Sequence, residues 1–233
     1  MTWKPMPARA ASTRRPPEAR YVAIIADIVD SRRITGARRR ELQKRLELLL
    51  SEVNRDFAQA IAANFLITVG DEFQGLLRGA AVIPALMRRL EIALPDITLR
   101  TGIGYGMLET ELRPSAIGMD GPVWHAARAA IDEAKRTDRL GGVFQGFGTT
   151  EDLIHNGFAR VLHLLRSRMT DKQRRLMDAL LGTQTQKEIA QSSGVSKQAV
   201  SKQARAAGVE AYREAELAWQ SVLDRAVRKG ARS

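Results

Sequence analysis

Residues 64–77, NFLITVGDEFQGLL, place two apolar runs on either side of Gly70-Asp71. Gly takes positive φ without steric cost, and Asp can hydrogen-bond its own backbone, so the pair marks a turn. The stretch therefore reads as a strand, a tight turn and a second strand, a β-hairpin. Upstream, YVAIIADIV (21–29) is a β-branched run that fits a buried strand ending near Asp27. Between the two, residues 36–61 repeat apolar positions at helical spacing through Leu42, Leu46, Leu49, Leu50, Val53, Phe57 and Ile61. Downstream, residues 79–93 read as helix, ITLRTGIGYGML (97–108) as strand and GPVWHAARAAIDEAKR (121–136) as helix. GGVFQGFG (141–148) gives a last strand, and residues 151–168 a helix leading onward. The order βαββαβαβ predicts an α/β chain: an α+β sandwich, with a mainly antiparallel sheet and helices on one face. Gly102, Gly104 and Gly106 alternate along one strand, which implies close approach by another backbone or a ligand.

The last third of the chain changes character. TDKQRRLMDALL (170–181) starts at Thr170, a good N-cap, and carries Leu176, Met177, Leu180 and Leu181 at helical spacing. In QTQKEIAQSSGVSKQAVSKQARAAG (184–208), one helix runs from about Gln186 to Ser192 and Gly194 makes a turn. Ser196 can cap a second helix that Gly208 ends. Ala190 is small where two helices would cross, Val195 is expected to plug the core after the turn, and Ile189 and Val200 to bury against it. This pattern resembles the helix-turn-helix of bacterial regulators. In that geometry the second helix enters the major groove of double-stranded DNA, N-terminal residues foremost. The residues so placed are Ser196, Lys197, Gln198, Ser201 and Lys202, with Gln203 and Arg205 nearer the phosphates. Gln suits adenine, and Lys suits guanine or phosphate. Residues 209–228 form one more helix, suited either to core packing or to a second subunit. Regulators of this kind read two half-sites, so a homodimer is expected.

Charge follows the same division. The chain carries 37 Lys/Arg against 26 Asp/Glu, a net +11. Residues 1–20 hold five bases and one acid, and residues 160–233 hold 15 bases and 7 acids. The stretch between is nearly neutral, with 17 bases and 18 acids. Basic segments attract polyanions through counterion release. Three segments are thus expected: a disordered basic tail (1–20), an α/β domain (21–159) and a small all-α domain (160–233). No apolar run approaches the ~18 residues of a membrane span. The basic, Pro-rich start lacks the apolar core of an export signal, and cysteine is absent. The cytoplasm is the expected compartment.

Two acids of the α/β part stand in telling places. Asp27 closes an apolar strand, and Asp71 sits in the hairpin turn with Glu72 beside it. If the strands are neighbours, the acids meet at one sheet edge, where Mg²⁺ is commonly held by one or two carboxylates plus substrate phosphates. The plainer alternatives are a turn-capping Asp71 and an Asp27 paired to Arg32 or Arg33. His125 shares a helix face with Arg128, three residues on.

The segments ADIVDSRRI, ITVGDEFQGLL, RTGIGYGMLET and GMDGPVWHAARAAI resemble the SatD family of small bacterial proteins, over about residues 21–135. More distantly they resemble class III nucleotidyl cyclases and GGDEF-type synthases. That resemblance implies a cyclase-like fold, a metal site at Asp27, Asp71 and Glu72, and Mg²⁺ with a nucleotide as ligands. It also implies a phosphate-steadying role for Arg128. Against catalysis, Trp124 occupies the place of the cyclase Asn and Ile67 that of the base-selecting Lys. Val69 replaces the first Gly of the GGDEF turn, and Asp120 matches the second base-selecting acid only with shifted spacing. The expectation is a transcription regulator whose cyclase-like sensory domain binds a nucleotide or divalent metal without turnover. The alternatives are a metal-dependent nucleotidyl cyclase or nucleotidyltransferase tethered to DNA, and a pure interaction module.

Overall fold

The computed structural model describes residues 19–230. Most of the expected basic tail therefore lies outside the described residues, while Arg20 already belongs to the first strand. The elements run β1 (Arg20–Ile28), a 3-10 turn (Ser31–Arg33), α1 (Gly36–Asp56), β2 (Ile61–Val69), β3 (Glu72–Leu77) and α2 (Ile83–Ala93). Then come β4 (Leu99–Met107), α3 (Pro122–Arg136), β5 (Val143–Gln145), α4 (Thr149–Ser167) and α5 (Asp171–Leu181). The chain ends in α6 (Gln186–Ser193), α7 (Lys197–Ala206) and α8 (Val209–Gly230). This is a mixed α/β protein with the expected βαββαβαβ order. Helix α1 stops five residues short of the expected end, because Phe57 leaves helical geometry and Ile61 already starts β2.

One five-stranded sheet has the order β2-β3-β1-β4-β5. All neighbours are antiparallel except β4 and β5. The expectation of helices on one face is wrong: they cover both. Val22, Ile24, Ala26, Phe73 and Leu77 pack with α1, α2 and the C-terminal helices. Ala23, Ile25 and Leu76 pack with Val123, Trp124, Ala127 and Ile131 of α3 on the other side. This is why β1 reads as an unbroken apolar run: Val22 to Ala26 are all buried, with no solvent face to call for polar residues. The β4 glycines explain how α3 fits. A Cβ at Gly104 would overlap the α3 backbone around Val123 and Ala127, and one at Gly102 that around Ala127 and Ile131. The close approach expected of these glycines is that of a helix backbone.

The boundary expected at residue 160 falls inside α4. Buried residues of α5 to α8 belong to the same hydrophobic cluster as the sheet. Tyr212, Trp219 and Leu223 of α8 are at most 1% exposed, and the Trp219 ring meets Phe144 of β5 at 5.6 Å and Phe158 of α4 at 6.1 Å. Leu217 of the same helix faces solvent.

Helix α2 supplies the polar part of the junction. Arg88 pairs with Asp178 of α5 and with Glu216 of α8. Glu91 receives Arg166 of α4 at 2.6 and 2.8 Å, and Arg166 also reaches the Tyr212 hydroxyl.

His155 of α4 is fully buried between Phe144 and Phe147, ring centroids 5.5 and 5.0 Å away, and neither ring nitrogen has a hydrogen-bond partner among the described residues. Burial pushes its imidazole down to about 4, against a small opposing pull from Glu151. In the unfolded chain the group protonates near 6.5. Its stabilising effect is therefore complete above about pH 6.5 and is lost as pH falls from there to about 4. Denaturant titrations at pH 7 and pH 4.5 should show roughly 2–3 kcal/mol less stability at the lower pH. His155→Phe should remove most of that difference, and an unchanged pH slope in this variant would disprove the assignment.

Candidate functional site

Two places gather the residues singled out in the sequence. The first is a cleft at one end of the sheet. Its position follows from strand register: Phe73 of β3 faces Ala26 of β1, so the Gly70-Asp71 turn lies beside the end of β1. Ile28 donates its backbone N–H to Asp71 Oδ2 at 3.3 Å. The turn acid is thus tied to the residue after Asp27, and the two strand ends meet as expected.

Alternation places Asp27 and Glu72 towards α3, and α3 answers both with cations. Lys135 Nζ lies 2.8 Å from Asp27 Oδ2, where Arg33 is one partner expected from sequence; the side chain of Arg32, the other, lies outside the described residues. Arg33 instead faces Asp30 at 3.4 Å. Arg128 grips Glu72 with two parallel bonds of 2.7 and 2.8 Å. That hydrogen-bonded pairing holds the Glu72 carboxyl below its ordinary range and raises the Arg128 guanidinium. On β4, Arg100 stands opposite Asp27 in register and bonds Asp138 at 2.5 Å. Asp27 Oδ1 and Arg100 Nε are buried without a hydrogen-bond partner among the described residues. The cleft holds about 610 Å³ and is lined by Asp27, Asp30, Asp71, Glu72, Arg100 and Lys135, among others.

A divalent cation fits this arrangement poorly. Lys135 occupies one oxygen of Asp27, and Arg128 takes both oxygens of Glu72. No group of three or more His, Cys, Asp or Glu able to hold a metal occurs among the described residues. Lys135 and Arg100 did not stand out in the sequence. Lys135 is two helical turns beyond Arg128, on the same face of α3, which is informative only once α3 is known to lie over β1.

The second place is the exposed side of α7. Thr170 caps α5 and Thr185 caps α6, each within a reciprocal capping box. Gly194 takes φ 64° to end α6, and Ser196 Oγ accepts from Ala199 N at 3.1 Å to start α7. Ile189, Ala190 and Val200 are buried, as their spacing predicts, and Ala204 is buried with them. Val195 is not: it is 37% exposed, because the chain leaves the left-handed turn with this side chain facing outward. Lys197, Gln198, Lys202 and Arg205 are exposed and Ser201 half-exposed, so one face of α7 presents them together. None of the three cations forms an ion pair among the described residues, and Ser196 is occupied as a cap.

His125 is exposed and 3.1 Å from Asp120. No helix among the described residues is long and apolar enough to cross a membrane. A search of curated proteins finds no match. The SatD family matches residues 21–222, far past the segments that first suggested it and through the whole of α7, so this chain belongs to the SatD family.

Proposed function

We propose that this SatD-family protein is a DNA-binding transcription regulator of the cytoplasm. In this reading α6, the Gly194 turn and α7 form a helix-turn-helix, and the cleft belongs to a cyclase-like sensory domain. One observation carries it: α7 turns a polar and cationic face to solvent, with no acid among the described residues taking up its charges. Lys197 and Gln198 open that helix, where the positive end of the dipole also favours a phosphate. The cleft would take the signal, a nucleotide or related phosphorylated ligand bound without turnover. The test is anisotropy titration of the full chain with duplex DNA at two salt concentrations, after selection of a preferred site from random duplexes. Specific binding that weakens as salt rises is expected; no binding at low salt would end the proposal.

A second reading, metal-dependent phosphoryl transfer by a chain tethered to DNA, draws on the meeting of Asp71 with the end of β1. Lys135 argues against it, since its ammonium already pairs with Asp27 and repels a divalent ion brought to the same carboxylate. Removing a unit charge about 4 Å from a divalent ion is worth on the order of 2 kcal/mol even at the dielectric of water. Lys135→Ala should therefore raise affinity for Mn²⁺, followed by electron paramagnetic resonance, about tenfold or more. Equal affinity in wild type and variant would show that Lys135 does not guard the site.

A further inference from the structure

Helix α4 is apolar on two opposite sides. One side, with His155, Ala159 and Leu162, is buried against the protein. The other carries Leu153 (74% exposed), Val161 (57%), Leu164 (46%), Leu165 (43%) and Ile154 (37%). Five of the ten large hydrophobic side chains exposed among the described residues thus sit on this single helix. At 100° per residue, these five and Gly157 fall within about 120° of the helix circumference, a continuous stripe about 18 Å long. A contiguous exposed apolar stripe of this kind marks an interaction surface.

The order of side chains along the stripe says what covers it. Pairing α4 antiparallel with a second α4 about a point level with residue 159 sets Leu153 against Leu165 and Ile154 against Leu164. It also sets Gly157 against Val161, a gap against a bulky side chain. The stripe is its own complement, the condition for a twofold interface in which the same patch serves both subunits. Charge agrees: Glu151 stands in the first turn and the exposed Arg168 at the other end, so the pairing brings Arg168 level with the acidic first turn of the second copy. The geometry points to α4 as a homodimer interface, with two copies of this chain joined antiparallel along the stripe from Leu153 to Leu165. The inference stands on α4 alone and does not depend on what α7 binds.

Sedimentation equilibrium of the full chain provides the test. Wild type should have the mass of two chains. Val161→Glu, which puts a charge into the middle of the stripe, should have the mass of one. The substituted residue is exposed, so circular dichroism should be unchanged. Leu48→Glu, at an exposed apolar position on α1 (67% exposed), should remain a dimer. The chain has no cysteine, and Gly157 has open space at its Cβ position, so Gly157→Cys/Val161→Cys should cross-link into a covalent dimer on oxidation. A wild type with the mass of one chain overturns the inference, as does a dimer that survives Val161→Glu or a double-cysteine variant that fails to cross-link.

Discussion

Lys197→Ala combined with Lys202→Ala should weaken binding to any duplex by about 10- to 100-fold at moderate salt, and should flatten the dependence of log affinity on log salt by about two. Both lysines lie on the open face of α7. If each neutralises one phosphate, each releases close to one counterion, and that contribution does not depend on base sequence. Gln198→Ala should behave differently. Deleting a side chain that reads a base edge from the second residue of the helix costs about 1–3 kcal/mol at the preferred site and leaves binding to other duplexes almost unchanged. Anisotropy titrations on a preferred and a scrambled duplex separate the two effects. Unchanged affinity and salt slope in the double lysine variant would remove α7 as the DNA-binding surface. All three side chains are exposed, so the variants should keep the melting temperature of the parent.

The largest effect on stability is expected at Glu91. Arg166 is 4% exposed at its side chain, and Glu91 is the carboxylate that balances it, with His163 at 3.3 Å on the same acid. Glu91→Ala would leave the guanidinium buried and uncompensated, a loss of about 3–5 kcal/mol. Removing both charges, as Glu91→Leu with Arg166→Met, should cost clearly less, because the penalty comes from the orphaned charge. Denaturant titration of Glu91→Leu, Arg166→Met and the double variant gives the comparison. If the double variant loses the sum of the single losses, the pair is not coupled. Acid should act in the same direction. Burial alone would raise the Glu91 carboxyl, but Arg166 and His163 outweigh it and hold it at about 2. The stabilisation is thus present above about pH 4.5, the ordinary range of the acid, and is lost as pH falls towards 2. This lies below the window in which His155 titrates, so the two can be told apart.

Local signals carried most of the fold into the sequence. Periodicity, turn residues and caps depend on near neighbours, so the hairpin at Gly70-Asp71 and the caps at Thr170 and Ser196 could be read directly. The covering of the sheet could not. Whether α3 lies on the same side as α1 depends on where Gly102 and Gly104 make room, and a glycine pattern does not say which partner fills the space. Val195 failed for a similar reason: its burial depends on the direction in which the chain leaves the turn, not on its spacing from Ile189 and Val200. At the cleft, the acids were visible because they end an apolar strand and follow a turn glycine. Their partners Lys135 and Arg100 sit on elements that reach the acids only through tertiary packing. The SatD resemblance rests on four segments within residues 21–135, whereas the family match continues through α7.

Helix α2 gives the C-terminal helices their seat, through Arg88 to α5 and α8 and through Glu91 to α4. The practical consequence concerns portability. Residues 160–233 are not a cassette that can be cut out and fused elsewhere. An excised fragment would carry half of α4, an unbalanced Arg166, and the broad faces of Tyr212 and Trp219 stripped of cover. A chimera that keeps its shape has to bring α2 and β5 along with it.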